Sequence, residues 1–384
     1  MTDVLILGAG YAGLSAATNL AGRVRRRAGV RLTLVNADER FTERLRLHST
    51  GAGRATADLR LPDLLAGTGV EFVRGWVTAA DAAARVVHLD DGRELRFDKL
   101  IWALGSAADT AAVPGAAEHA YTFDSYRDAE ALAARLAGLD GGAVAVCGSG
   151  LTGVEAATEI AERHPALTVH LLGRQAPGAT MAPGARAYVE ATLHRLGVEV
   201  RSGVEICEVR PGSVILADGR VDADVVLWTA GTRVSPLAAA AGPAVDDRGR
   251  IVTDPCLRSV SHPQVYAVGD AAAVRLGFGV LHGTCQSGMP TGVHAAVSIA
   301  RELEGREPQP FRFGYYHRPV SLGRGDAVVQ FTRPDDSPRR AYLTGRTAVW
   351  YKETVSASPW PVFTRMRAHP AMASWWPRGG RYTR

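Results

Sequence analysis

The strongest constraint in this sequence is a repeated module. An apolar strand, a Gly-x-Gly-x-x-Gly turn and an Ala-rich helix run through Val4-Leu5-Ile6-Leu7-Gly8-Ala9-Gly10-Tyr11-Ala12-Gly13-Leu14-Ser15-Ala16-Ala17. The same order returns at Ala143-Val144-Ala145-Val146-Cys147-Gly148-Ser149-Gly150-Leu151-Thr152-Gly153-Val154-Glu155. In such a turn the first glycine makes the bend, the second lets the backbone approach a pyrophosphate, and the third lets helix and strand pack closely. The helix amides and dipole then favour the phosphates. One such turn is weak evidence, but both here lie between a strand and a helix, as the mechanism requires.

The copies agree beyond the loop. Each has a second strand, Arg31–Asn36 and Leu167–Arg174. Each has a hairpin with an Asp-Gly turn, at Asp91-Gly92 and Asp218-Gly219. Each then reaches a buried strand ending in glycine, at Gly105 and Gly231. Two copies of one plan predict an α/β fold with two Rossmann-like nucleotide-binding units.

The ribose positions depart from that plan. A Rossmann unit places an acid at the end of its second strand, about 20 residues past the glycines. The first copy has Asn36 there, uncharged but able to accept a hydrogen bond. The second has Gly173-Arg174, and an Arg suits a 2′-phosphate, so NADPH is slightly favoured over NADH.

Other stretches hold chemistry-bearing residues. Gln264-Val265-Tyr266-Ala267-Val268-Gly269-Asp270 is a strand running into Gly-Asp, where the carboxylate either meets sugar-like hydroxyls or caps a helix. The segment Arg40–His48 either passes over the ligand, with Arg44 or Arg46 near phosphate and His48 near a ring, or is a solvated Arg-rich helix. Val70–Val77 reads as one further strand, and Lys99 as a surface charge. After Pro308-Gln309-Pro310, short alternating runs read as a small antiparallel sheet, and Ala348–Glu353 as the start of a helix. The tail sets Trp360, Phe363, Met366, Trp375 and Trp376 among arginines. Packing against another domain or subunit is the preferred reading, with an interfacial membrane contact as the rival.

Composition narrows the class. The net charge is +5, but all but two of the basic residues, Lys99 and Lys352, are scattered arginines. No basic run interleaves with aromatics before the tail, which argues against nucleic acid. No apolar run reaches the roughly 18 residues of a membrane span. The first strand begins almost at once, leaving no room for a signal peptide. Four separated cysteines give neither a disulfide framework nor zinc spacing, and no metal site is expected. The expected location is cytoplasmic, or peripheral at the inner face of a membrane.

The chain resembles two-dinucleotide-binding-domain flavoproteins of the pyridine nucleotide-disulfide oxidoreductase superfamily. Within it, the chain is most similar to type II NADH dehydrogenases and apoptosis-inducing-factor-like reductases. Gly8–Gly13, Ala103-Leu104-Gly105-Ser106, Gly148–Glu155, Trp228-Thr229-Ala230-Gly231-Thr232 and Tyr266–Asp270 carry the resemblance. It implies a glutathione-reductase-type fold. The FAD domain would be residues 1–115 and 251–307, with an NAD(P)H domain inserted at 116–250 and a C-terminal α+β region at 308–384. It implies that Gly8, Ala9, Gly10, Tyr11, Ala12 and Gly13 hold the FAD pyrophosphate. Asn36 would face the adenosine ribose, Val77 the adenine and Asp270 the ribityl chain, with Arg44, Ala103, Leu104, Gly105 and Gly269 also at the FAD. Gln286 would lie beside the isoalloxazine. Gly148, Gly150, Leu151, Thr152, Gly153, Arg174 and Gly231 would take the nicotinamide dinucleotide. Glu155 would face the flavin–nicotinamide contact, Lys352 would close on the ring, and His48 would approach it.

Three departures qualify what the resemblance implies. No Cys-x4-Cys follows the first unit, so no sulfur pair exists for a dithiol relay. Type II NADH dehydrogenases tend to carry Ala-Gln-x-x-x-Gln at the quinone contact, whereas this chain has Cys285-Gln286 and Pro290. Both ribose acids are missing. The expected activity is an FAD-dependent NAD(P)H oxidoreductase passing electrons to a quinone or quinone-like small molecule. The alternatives are a biosynthetic flavin oxidoreductase with its own organic substrate and a non-catalytic FAD-binding redox sensor. The resemblance is also compatible with a homodimer.

Overall fold

The computed structural model describes residues 1–371 and 376–383. Its first sheet is wholly parallel, with strands in the order 265–267, 99–102, 2–7, 30–36 and 70–74. The second is also parallel, in the order 199–202, 167–173, 142–147 and 225–228. Each sheet therefore runs third strand, second strand, first strand, closing strand. The central strands Thr2–Leu7 and Gly142–Cys147 end in four buried residues each. Strands covered on both faces carry continuous apolar runs rather than alternation.

In both units an antiparallel meander links the third strand to the closing one. The first comprises Val77–Asp81, Val86–Leu89 and Glu94–Arg96, and the second Ile206–Arg210, Ser213–Leu216 and Gly219–Asp222. The single strand expected over 70–77 is accordingly two, because the chain breaks at Gly75-Trp76 to enter the meander. Two short strands, Ser106–Ala108 and Thr232–Val234, pair antiparallel and join the two crossovers.

The helices Tyr11–Val24 and Cys285–Leu303 pack closely through small residues; a Cβ on Gly292 would lie 2.0 Å from the Ala12 carbonyl oxygen. Pro290 sits inside the second helix without ending it. Lys99 is not a plain surface charge: its Nζ is 2.6 Å from Glu302 Oε2 on that helix, with both side chains mostly covered.

The C-terminal region forms the expected antiparallel sheet, His317–Ser321, Ala327–Thr332 and Pro338–Thr344. The following helix begins at Gly345, earlier than expected, and runs to Ala357. The tail packs on its own chain. Phe363 and Met366 are buried in the first core, with Trp360 and Phe363 against Phe41. Trp376 packs near Phe311, and Trp375 lies outside the described residues.

Gln330 stitches this sheet to the second unit. Its Oε1 accepts from Ala182 N, and its Nε2 reaches the carbonyls of Phe331, Arg339 and Ala341. The side chain is fully buried. Gln330→Leu leaves the Ala182 amide unpaired, and should lower unfolding free energy by ~2–3 kcal/mol in a urea titration.

Candidate functional site

The two glycine turns make matching sets of close contacts. A Cβ on Gly13 would lie 1.8 Å from the Gly8 carbonyl oxygen, and one on Gly153 1.7 Å from that of Gly148. Gly8 and Gly148 press against the loops that follow the closing strands, where a Cβ would meet Ala103 O at 2.5 Å and Ala230 N at 2.7 Å. Gly10 and Gly150 face open space, with nothing within 4 Å of an added Cβ, and each caps a helix with no side-chain cap bond. Packed backbone on one side and free helix amides on the other fit a pyrophosphate at both turns.

The first cradle has a polar rim. Asn36 Oδ1 accepts from Ala9 N at 2.9 Å, and Asn36 Nδ2 donates to Asp38 O. Asn36 therefore braces the loop, and its amide is already engaged with the protein. Asp270 stands in a 3-10 turn after strand Val265–Ala267, where Oδ2 accepts from Ser106 Oγ at 2.6 Å. Arg44 Nη2 donates to Ser106 O at 2.9 Å, bringing its charge to the same rim. Val77 opens the first meander, and Ala103-Leu104-Gly105 forms the wall against Gly8.

Glu155, Lys352 and His48 converge from three parts of the chain. Glu155 lies one turn into the helix Leu151–Arg163, Lys352 on the helix Gly345–Ala357, and His48 on the short helix Leu47–Gly51. The segment 40–48 is not one solvated Arg-rich helix: a 3-10 turn, Arg44–Arg46, with Arg44 exposed leads into the short helix on which His48 is buried. Lys352 Nζ is 2.7 Å from Glu155 Oε1, which also accepts from Ser321 N at 3.0 Å. His48 Nδ1 lies 3.8 Å from Glu155 Oε2. Burial alone would raise the Glu155 carboxyl. The Lys352 ammonium, His48 and the two hydrogen bonds outweigh it and hold the group below its ordinary value. Burial takes His48 the other way, down to about 4, with Glu155 opposing and Lys352 and Arg46 adding. At neutral pH the site holds a carboxylate, an ammonium and a neutral imidazole. Glu353 frames it by bridging Arg46 and Arg324.

Gln286 sits in the first turn of the helix Cys285–Leu303, and its amide is spent on the backbone. Its Nε2 donates to His317 O at 3.1 Å and its Oε1 accepts from Tyr316 N at 3.4 Å. The side chain thus fastens the C-terminal sheet to the helix start, instead of presenting a free amide to a ring. Cys285 is pushed up to about 11 by burial and Cys147 to about 12, so both stay protonated thiols at neutral pH. All four cysteines are free.

Around the second cradle, Gly173 packs on Ser149, and Ser149 Oγ donates to Gln175 O at 2.5 Å. Arg174 is 80% exposed and pairs with Glu205 at 3.1 Å. Gly231 follows the closing strand with a positive φ, and Asp109 N donates to its carbonyl at 3.2 Å. Sequence reasoning missed Ser106 as the partner of Asp270, and it missed the pairing of His317 with Tyr351. The Ala-Leu-Gly-Ser run offered a signal for Ser106. Nothing local offered one for a contact between a strand and a helix 34 residues apart.

The pyridine nucleotide-disulphide oxidoreductase family matches residues 2–300. An NADH dehydrogenase-like protein of Mycobacterium tuberculosis is 34% identical over 352 residues, covering 85% of this chain and 87% of its own. A type II NADH:quinone oxidoreductase of Staphylococcus epidermidis is 29% identical over 378 residues, covering 88% and 92%. Among solved structures, NDH2 from Plasmodium falciparum in complex with NADH matches with a TM-score of 0.79 at 13% identity, over 98% of this chain and 99% of that one. At that identity the likeness speaks for the fold.

Proposed function

We propose that this chain, which belongs to the pyridine nucleotide-disulphide oxidoreductase family, is an FAD-dependent NAD(P)H:quinone oxidoreductase without a redox disulfide. The observation that carries the reading is the repeated cradle, two pyrophosphate-shaped backbone turns, the second opening the helix that carries Glu155 of the charge cluster. When bound, a flavin supplies the hydride acceptor and the electron relay.

The chain's own residues do the placing. Gly8–Gly13 would hold the FAD pyrophosphate, with Asp270 and Ser106 on the ribityl hydroxyls and Arg44 beside them. Gly148–Gly153 would hold the nicotinamide dinucleotide against the same centre. Glu155 and Lys352 would set the field there, a carboxylate and an ammonium fixed by each other and by Ser321. The half-buried, protonated Cys285 supports electron transfer without thiol chemistry. Arg174 supports NADPH as the preferred donor, since its guanidinium is exposed at the ribose position and pairs with Glu205 at the surface.

Anaerobic stopped-flow reduction tests this reading. The purified protein should be yellow, should bleach with NADPH and NADH, and should recover its colour with a quinone. Bleaching only by another organic substrate would favour the biosynthetic alternative, and no bleaching at all the sensor.

The two cradles also separate by mutation. Gly153→Ala forces a Cβ into the Gly148 carbonyl, 140 residues from the first cradle. The variant should stay yellow yet bleach with NADPH ~10²-fold more slowly, a misplacement-sized loss. A colourless variant, or one that bleaches at the normal rate, would contradict the assignment.

A further inference from the structure

The C-terminal sheet carries a hydrogen-bonded pair outside the Glu155–Lys352–His48 cluster. His317 opens the strand His317–Ser321, and Tyr351 precedes Lys352 on the helix packed over it. His317 Nδ1 and the Tyr351 hydroxyl are 2.6 Å apart, and the rings meet edge to face at 5.4 Å. His317 is buried, while Tyr351 is half-buried. Tyr316 lies against His317 and is 39% exposed, and Phe331 meets Tyr351 edge to face. The pair therefore joins a mostly buried imidazole to a half-buried hydroxyl, with Tyr316 and Phe331 as ring neighbours.

Two further features fix and tune it. Gln286, at the helix start beside Asp270 and Cys285, binds the backbone on both sides of the Tyr316–His317 peptide. Burial, helped by the Lys352 ammonium, pushes His317 down to about 4. At neutral pH the ring is uncharged, and one proton lies between Nδ1 and the phenol oxygen.

Resting on the reading of this chain as an NAD(P)H:quinone oxidoreductase, we propose that Tyr351 gives the quinone oxygen its second proton and that His317 reloads Tyr351. NAD(P)H contributes a hydride, which is two electrons and one proton, whereas reducing a quinone takes two electrons and two protons. The Tyr351 O–H bond breaks as the quinol O–H bond forms. His317 passes the proton on Nδ1 to the phenol oxygen while Nε2 takes one from solvent. His317 is left as its Nε2–H tautomer with one solvent proton consumed, and loss of the Nε2 proton to solvent coupled to uptake of one at Nδ1 restores the starting state. Tyr351 is the catalytic group of the pair, and His317 acts through it.

The test is Tyr351→Phe in the flavin-loaded protein, with His317→Gln as a second variant that keeps a hydrogen-bonding side chain but cannot relay. Reoxidation by a soluble quinone should fall ~10²-fold in both, the size of a lost general acid. Anaerobic reduction by NADPH should be unchanged. Reduction of ferricyanide, which takes electrons without protons, should also be unchanged. The affinity of Tyr351→Phe for a non-reducible quinone analogue, read by tryptophan fluorescence, should match the wild type. Normal quinone rates in Tyr351→Phe would overturn the proposal and leave the oxidoreductase reading standing. An equal loss with ferricyanide would overturn it too, as damage to the site at large. Failure of any quinone to reoxidise the wild type would bring down the acceptor reading and this proposal with it.

Discussion

Replacing Lys352 with Met should destabilise the protein by ~3–5 kcal/mol at pH 8, because it strands a buried carboxylate. Lys352 and Glu155 have side-chain exposures of 5% and 12%, and their 2.7 Å contact is the one full cation that Glu155 holds within hydrogen-bond reach among the described residues. His48 cannot replace it, since burial keeps that imidazole neutral. With the ammonium gone, the burial that raises the Glu155 carboxyl acts almost unopposed, so its pKa in the folded variant should climb above the unfolded value. The signs then differ between the two proteins. In the wild type the folded-state pKa of Glu155 is depressed, so its contribution is present above the ordinary value of 4.5 and fades as pH falls through the folded value. In Lys352→Met the dependence reverses, and stability recovers on acidification as Glu155 takes up a proton. Glu155→Gln in the same background should restore much of the loss at pH 8. Urea unfolding of the wild type, both single variants and the double variant at pH 6 and pH 8 measures the coupling. Additive single-variant costs would show that the pair is not an energetic unit.

The same residues show what a sequence can and cannot disclose. The cradles were legible because they are local: glycines at fixed spacing, between a strand and a helix, can be identified from a dozen consecutive residues. The two Rossmann-like units followed from the repetition of that local plan. Lys352 was conspicuous only because the chain uses arginine almost everywhere else, and its partner could not be read. Glu155 lies 197 residues away, in another sheet's helix. Lys99 gives the same signal and reads from sequence as a surface charge, although it too sits in a mostly covered ion pair. Gln286 shows another limit of local reading. Its type and position fit a ring contact, but whether an amide is free depends on the strand folded back against it. Asn36 is a similar case, since its oxygen braces Ala9 before any ribose arrives. Spacing identifies the groups that face a ligand through backbone. Side chains whose partners come from distant segments become readable only when those segments are in place.

Acid should unfold this protein well before its carboxylates titrate, because three histidines are buried in neutral form. His48, His294 and His317 are each pushed from the ordinary 6.5 to about 4, foremost by burial. At His48 the Glu155 carboxylate opposes the shift, and at His294 the hydrogen bond to Gln309 O does; at His317 the Lys352 ammonium reinforces it. Each is less than a tenth exposed, so solvent screening is slight. The folded values lie below the unfolded one, so between pH 6.5 and 4 the unfolded chain binds more protons. Stability is therefore full above pH 6.5 and drains away as pH falls through that window. A shift of 2.5 units, from 6.5 to 4, is worth ~3 kcal/mol per histidine. By pH 5.5 the loss should be a little over 1 kcal/mol each, or ~4 kcal/mol together, and near pH 4 it approaches the ~5–15 kcal/mol that holds a typical domain. Urea midpoints measured from pH 8 to pH 4.5 should fall steeply below pH 6.5 with little change above it. His294→Gln isolates one contributor away from the charge cluster, since His294 bonds to Gln309 O and packs on Phe311. That variant should start less stable at pH 8 and lose less on acidification. Equal pH slopes in wild type and variant would place the acid sensitivity elsewhere.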